Sequence, residues 1–97
     1  MIEVRQTSEY ADWYARLRDM KAKARIDVRI RRMSLGNLGD AKFFGGIGEL
    51  RIDHGPGYRV YFLKRGEALI ILLGGGDKSS QASDIALAKA VASRWKE

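Results

Sequence analysis

An α+β fold is predicted by three features of this sequence. Helical periodicity is confined to two N-terminal segments and one C-terminal segment, alternating and then uninterrupted apolar residues fill positions 49 to 73, and glycine-rich breaks separate these regions. The expected order is β-α-α-β-β-β-α, an antiparallel-dominated sheet covered by two N-terminal helices and one C-terminal helix. At 97 residues the chain has room for one domain, 1–97, with one modest core.

Each element has its own signal. Residues 2 to 6 (IEVRQ) alternate apolar and polar as a short strand does, and Thr7 and Ser8 offer the side-chain oxygens of a helix N-cap. The helix that follows sets Tyr10, Trp13, Tyr14 and Leu17 at i, i+3, i+4 and i+7, one buried stripe, with Asp12, Arg16 and Arg18 turned outward. A break is expected near Asp19 to Lys21. The second helix keeps Ala22, Ile26, Ile30 and Met33 on its apolar line and stops at Gly36-Asn37. Its exposed side carries Lys21, Lys23, Arg25, Arg29, Arg31 and Arg32 against a single acid, Asp27. A glycine-rich loop, with Lys42 in its middle, is expected from Gly36 to Gly48.

Leu50 and Ile52 then alternate with Glu49, Arg51 and Asp53, which predicts a strand with one wet face, and HGPG (54–57) turns it into a hairpin. The return strand, Tyr58 to Leu63, sets Arg59, Tyr61 and Leu63 on one side and Tyr58, Val60 and Phe62 on the other. After a turn at Lys64 to Glu67, ALIILL (68–73) is unbroken in its apolar character and predicts a central strand buried on both faces. The glycines at 74–76 are expected to turn the chain sharply off this strand. Ser79 or Ser80 caps the last helix, where Ile85, Ala88, Val91, Ala92 and Trp95 keep helical spacing.

Composition narrows the function classes. Eighteen Lys and Arg against twelve Asp and Glu give a net charge of +6 and a pI near 9.9, which suits a nucleic-acid or acidic protein partner. With no cysteine, a disulfide framework and a Cys-rich zinc site are excluded and a reducing compartment suits the chain. The N-terminal MIEVRQTSEYADW lacks the apolar run of a signal peptide, and no segment approaches the roughly 20 residues that span a bilayer. A soluble, cytoplasmic protein without membrane association is therefore expected.

The stretch GGGDKSS (74–80) has glycines, a lysine and hydroxyls in the order of a nucleotide-binding P-loop. The spacing fails, because Asp77 stands where the motif needs glycine and its leading glycine would fall on Leu72. A single histidine, no cysteine and no suggestively spaced acids give no basis for a metal, and no cofactor is expected. No G-x-S-x-G elbow is present for a serine hydrolase. The remaining stock is Arg and Lys, which hold phosphates and stabilise charge on them. Arg51 on the wet face, Arg59 across the hairpin and Lys78 at the end of the central strand are predicted to converge, and three clustered cations call for an anion. Taken singly each has a plainer alternative: Arg51 pairs with Glu49 or Asp53, and Lys78 reaches solvent.

The segments RRMSLGNLGDAK (31–42), GIGELRIDHGPGYRVYF (46–62) and LLGGGDKSSQASDI (72–85) together resemble the RelE/ParE superfamily of type II toxin-antitoxin toxins, and within it the HigB-like branch of addiction-module killer proteins. The resemblance runs in order over nearly the whole chain. It implies a RelE-like fold and a toxin neutralised by a cognate antitoxin, a small helix-turn-helix protein. It also implies ribosome-dependent cleavage of mRNA without metal, through attack of a 2′-hydroxyl on the adjacent phosphate. Arg59 matches the family's phosphate-stabilising arginine, and Arg51 and Lys78 fall near two further cations. His54 is the candidate general acid or base, otherwise an exposed turn residue, and Lys42, Arg29 and Arg32 are the candidate RNA-binding residues. The sequence also departs from the pattern. Glu49 and Arg51 stand where RelE carries two lysines, Asp84 and Ile85 stand where it carries a tyrosine, and the acid and base stay unassigned. A ParE-like poison of DNA gyrase, which needs no catalytic set, is the alternative.

Overall fold

Local hydrogen-bond chemistry decides where the first elements begin and end. The computed structural model describes residues 1–95. Strand β1 (Glu3–Gln6) ends at Thr7, whose buried hydroxyl donates to the Leu72 carbonyl at 2.8 Å and accepts from the Tyr10 N–H at 3.1 Å, capping helix α1 (Ser8–Arg16). The chain is extended at Leu17, and Asp19 then caps helix α2 (Met20–Ser34) by accepting from the Ala22 N–H at 3.1 Å. Strands β2 (Ala41–Phe44), β3 (Ile47–Ile52), β4 (Tyr58–Arg65) and β5 (Leu69–Gly76) follow, and one 3₁₀ turn (Lys78–Ser80) leads into helix α3 (Gln81–Ala92). One sheet holds all five strands in the order β1-β5-β4-β3-β2, parallel where β1 meets β5 and antiparallel at the other three pairings. The fold is α+β with a mixed sheet.

Four details differ from expectation. Strand β2 lies inside the expected glycine-rich loop, so the order gains a strand and becomes β-α-α-β-β-β-β-α. Gly45 and Gly46 have φ of +57° and +84°, the positive pair that a tight two-residue hairpin requires, and Phe44 faces Ile47 across it. Strand β5 is interior, but the middle of the sheet is β4, because β1 returns to the outer side of β5. Gly74, Gly75 and Gly76 continue β5 and none has positive φ, so they do not turn the chain. Two of them are small for lack of room: a Cβ on Gly75 would stand 2.5 Å from the Trp13 ring, and one on Gly76 would collide with the Asp84 carboxylate. Last, Asp77 caps the 3₁₀ turn, its Oδ1 accepting from the Ser79 N–H at 2.8 Å, while Ser80 precedes α3 without a side-chain cap bond and gives its hydroxyl to Asp84.

The core has two layers, one on each face of the sheet. Tyr10, Ile26 and Met33 of α1 and α2 pack on Leu50, Ile52, Val60, Phe62, Ile70 and Leu72. Ala88 and Val91 of α3 pack on Ile47, Tyr61, Ile71 and Leu73. Coverage from both sides explains why residues 70–73 show no alternation, and burying each such side chain stabilises the fold by about 1.5–3 kcal/mol. No helix among the described residues is long and apolar enough to cross a membrane.

Candidate functional site

The register of the sheet sets the cations side by side. Arg51 of β3 is the direct cross-strand partner of Arg59 of β4, and one row along the same face Lys42 is opposite Glu49, which is opposite Tyr61. Two like charges facing each other across a strand pair are unfavourable unless offset. The structure supplies two carboxylates. Arg51 Nη2 lies 2.9 Å from Asp40 Oδ1, an ion pair with both partners well exposed, and Arg59 Nε lies 3.8 Å from Glu49 Oε2, with Glu49 fully buried. Arg51 thus pairs with Asp40 and with neither of its two expected partners. A carboxylate therefore stands beside each arginine.

Arg59 is the best-defined cation of the site. Its side chain is 12% exposed; Nη1 donates to the Gly57 carbonyl at 2.9 Å, Nε is sealed from solvent without a hydrogen bond, and Nη2 has no partner among the described residues and is not sealed. It borders an open cleft of about 350 Å³ that Arg51, Asp40, Asp53 and Gly57 also line. Lys78 is exposed and joins this end of the molecule through its backbone N–H, which donates to Pro56 at 3.4 Å, beside Gly57. Lys42 is exposed on edge strand β2, on the same face.

The face of β3 expected to be wet is wet only in part. Glu49 is 1% exposed, and its Oε2 accepts from Gln81 Nε2 at 2.7 Å and from the Tyr61 hydroxyl at 3.2 Å. Burial, with the Glu49 carboxylate next to it, pushes the Tyr61 hydroxyl well above its ordinary pKa, so it remains a donor at neutral pH. The start of α3 covers this row through Gln81. Sequence reasoning missed the burial of Glu49, although Ile47, on the same face, signals that something apolar covers that side.

His54, Arg29 and Arg32 do not line the cleft. His54 is half-buried in the β3–β4 turn, and its Nε2 lies 3.0 Å from Asp19 Oδ2 at the start of α2. Arg29 reaches from α2 to three carbonyls, with Nη1 donating to Arg51 at 2.6 Å and Nη2 to Asp40 at 3.0 Å and Leu38 at 3.1 Å. It is a staple between α2, the loop and β3, and burial pulls its pKa down while Asp40 opposes the shift. Arg32 is exposed on α2 and lines a separate groove of about 580 Å³ with Lys21, Arg25, Val28 and Asp53. The basic side of α2 is thus a second positive surface, which meets the Arg59 cleft at Ile52 and Asp53.

No family model matches the chain, and no solved structure matches it. An uncharacterized protein of Haemophilus influenzae is 48% identical over 92 residues, covering 94% of this chain and 93% of the relative. That identity over nearly the full length of both chains makes this protein a member of the same family as the Haemophilus influenzae protein.

Proposed function

We propose that the protein is the toxin of a type II toxin-antitoxin pair, of RelE-like fold and HigB-like kind, and that it cuts mRNA on the ribosome without a metal. The observation that carries the proposal is Arg59, a guanidinium hydrogen-bonded through Nη1, beside a buried carboxylate on its Nε side and open at Nη2, bordering a cleft with Arg51. Such a group suits a phosphate whose negative charge grows during reaction. In the proposed step the 2′-oxygen bonds to the adjacent phosphorus, the 5′-oxygen leaves, and a proton passes from the first to the second, giving a 2′,3′-cyclic phosphate and a 5′-hydroxyl. Arg59 stabilises the charge on the non-bridging oxygens. Lys78 and Lys42 extend the positive surface along which the RNA would lie. The cytoplasm is the proposed location, and a small helix-turn-helix antitoxin the stable partner; the groove on α2, basic with exposed Val28 in its lining, suits an acidic segment of such a partner.

Induced expression followed by mapping of RNA 5′ ends tests this. The native protein arrests growth and yields new 5′-hydroxyl ends in mRNA. Arg59→Ala restores growth, removes those ends and still binds the antitoxin. A purified native protein that cuts no mRNA, with or without translating ribosomes, rejects the nuclease. A second reading, poisoning of DNA gyrase through a protein interface, is favoured by one observation: the single histidine, the candidate general acid or base, is engaged with Asp19 and does not line the cleft. Inhibition of gyrase supercoiling by a protein that spares RNA selects it.

A further inference from the structure

Glu49 is the one charged side chain among the described residues that falls in the buried class, and a buried carboxylate is costly unless its neighbours repay it. Three groups from two elements converge on one of its oxygens: Tyr61 and, at 3.8 Å, Arg59 Nε, both of β4, and Gln81 at the start of α3. An apolar side chain of similar size would meet the needs of packing with less desolvation. The arrangement accomplishes something packing does not. It sets a buried negative charge 3.8 Å from Nε, along the inner edge of the Arg59 guanidinium and without a hydrogen bond to it, while the Gly57 carbonyl accepts from Nη1, so Nη2 is left open.

We infer that Glu49 is a positioning residue for Arg59: anchored by Gln81 and Tyr61, it fixes the guanidinium so that its free edge meets a phosphate in the cleft. The identity of that phosphate as the scissile group of an RNA rests on the proposed function; the positioning does not. The inference has a signature of its own. The Glu49 charge lowers the positive potential at Arg59 and so weakens ground-state attraction for an anion, while its orienting effect serves the reaction step. Replacing it by an isosteric neutral amide therefore moves binding and turnover in opposite directions.

The test uses the full chain and the substitution Glu49→Gln, with Gln81→Ala as a second variant that removes an anchor of Glu49 without touching either charge. Nitrogen-15 NMR of the arginine side chains follows Arg59 Nε–H exchange during titration with inorganic phosphate. Single-turnover cleavage of mRNA on programmed ribosomes gives the maximal rate and the half-saturating concentration. In Glu49→Gln, Nε–H exchange is expected to quicken about tenfold and Arg59 to respond at a lower phosphate concentration than in the native protein. The maximal rate is expected to fall by about tenfold to a hundredfold, with half-saturation unchanged or lower. Gln81→Ala is expected to move each readout the same way by less. A folded Glu49→Gln protein whose Arg59 signal and phosphate response match the native ones overturns the inference, as does one whose maximal rate is unchanged. If the native protein cuts no RNA, the nuclease reading fails alone, and the Arg59 signals still decide the positioning.

Discussion

The two faces of the sheet solve different problems. Beneath α1 and α2 the surface is apolar from end to end, and polar groups enter only at its margins, through Thr7, the Asp19–His54 contact and the Arg29 staple. Beneath α3 the apolar layer stops partway, and Glu49, Arg59, Tyr61 and Gln81 take over. The first face is given over to packing, whereas the second spends part of its area on groups whose burial costs free energy. Stability and candidate function are thus separated by a single sheet.

Adjacent residues of β4 sharpen that contrast most, because Phe62 and Tyr61 point to opposite faces. Phe62→Ala empties a fully buried site and is expected to lower unfolding free energy by about 3–5 kcal/mol. Tyr61→Phe keeps the ring and removes only the hydroxyl that donates to Glu49, an expected loss of about 1 kcal/mol. Urea unfolding monitored by tryptophan fluorescence measures both. Equal losses at the two positions would mean that the faces do not divide the work.

The three glycines at the end of β5 carry the same comparison on a smaller scale. Gly75→Ala sets a methyl against the ring of Trp13, on the α1 side, and overpacking there is expected to cost about 1–3 kcal/mol. Gly76→Ala meets the Asp84 carboxylate, the end of a side chain that can rotate away at the loss of its bond with Ser80, so a smaller cost is expected. A Cβ on Gly74 meets nothing within 4 Å, and Gly74→Ala is expected to stay within about 0.5 kcal/mol of the native protein. Thermal melts of the three variants rank them. A Gly74 variant as unstable as the Gly75 variant would assign the run to backbone conformation instead of to its neighbours.

Much of the fold was legible because periodicity reports burial directly. The Tyr10 to Leu17 stripe, the Ala22 to Met33 line and the unbroken ALIILL each lie where a one-sided helix or a two-sided strand belongs. Strand β2 escaped notice because AKFF is four residues long with Phe43 exposed, though FFGGIG carries the two-glycine hairpin signal. Arg51 and Arg59 could be set together from hairpin geometry alone. Their carboxylate partners could not, since Asp40 arrives just ahead of a strand that had not been expected and Glu49 reads as an exposed alternating residue until α3 is seen to cover it. Arg29 shows the same limit from the other side: a helix face read by charge alone cannot separate a guanidinium spent on carbonyls from one free in water.

The smallest effect expected concerns two capping aspartates, one for each side of the comparison. Asp19 caps α2, and its pKa is lowered first by the Ala22 N–H and further by His54; Asp77 caps the 3₁₀ turn, and its pKa is lowered first by the Ser79 hydroxyl. A carboxylate whose folded pKa lies below its unfolded value of about 4 contributes stability that is present above that value and lost as pH falls through the folded one. Both therefore add to acid sensitivity below about pH 4. They differ in reach. Asp19 contacts a residue 35 positions away, a contact that vanishes on unfolding, whereas the bonds of Asp77 lie two residues along the chain and can persist in part in the unfolded ensemble. Asn at either position keeps a capping oxygen but cannot titrate. Melting temperature followed as pH falls from neutrality is therefore expected to decline less steeply in Asp19→Asn than in the native protein, with Asp77→Asn between the two. An acid profile of Asp19→Asn that overlays the native one would remove the α2 cap from the groups that make the apolar face sensitive to acid.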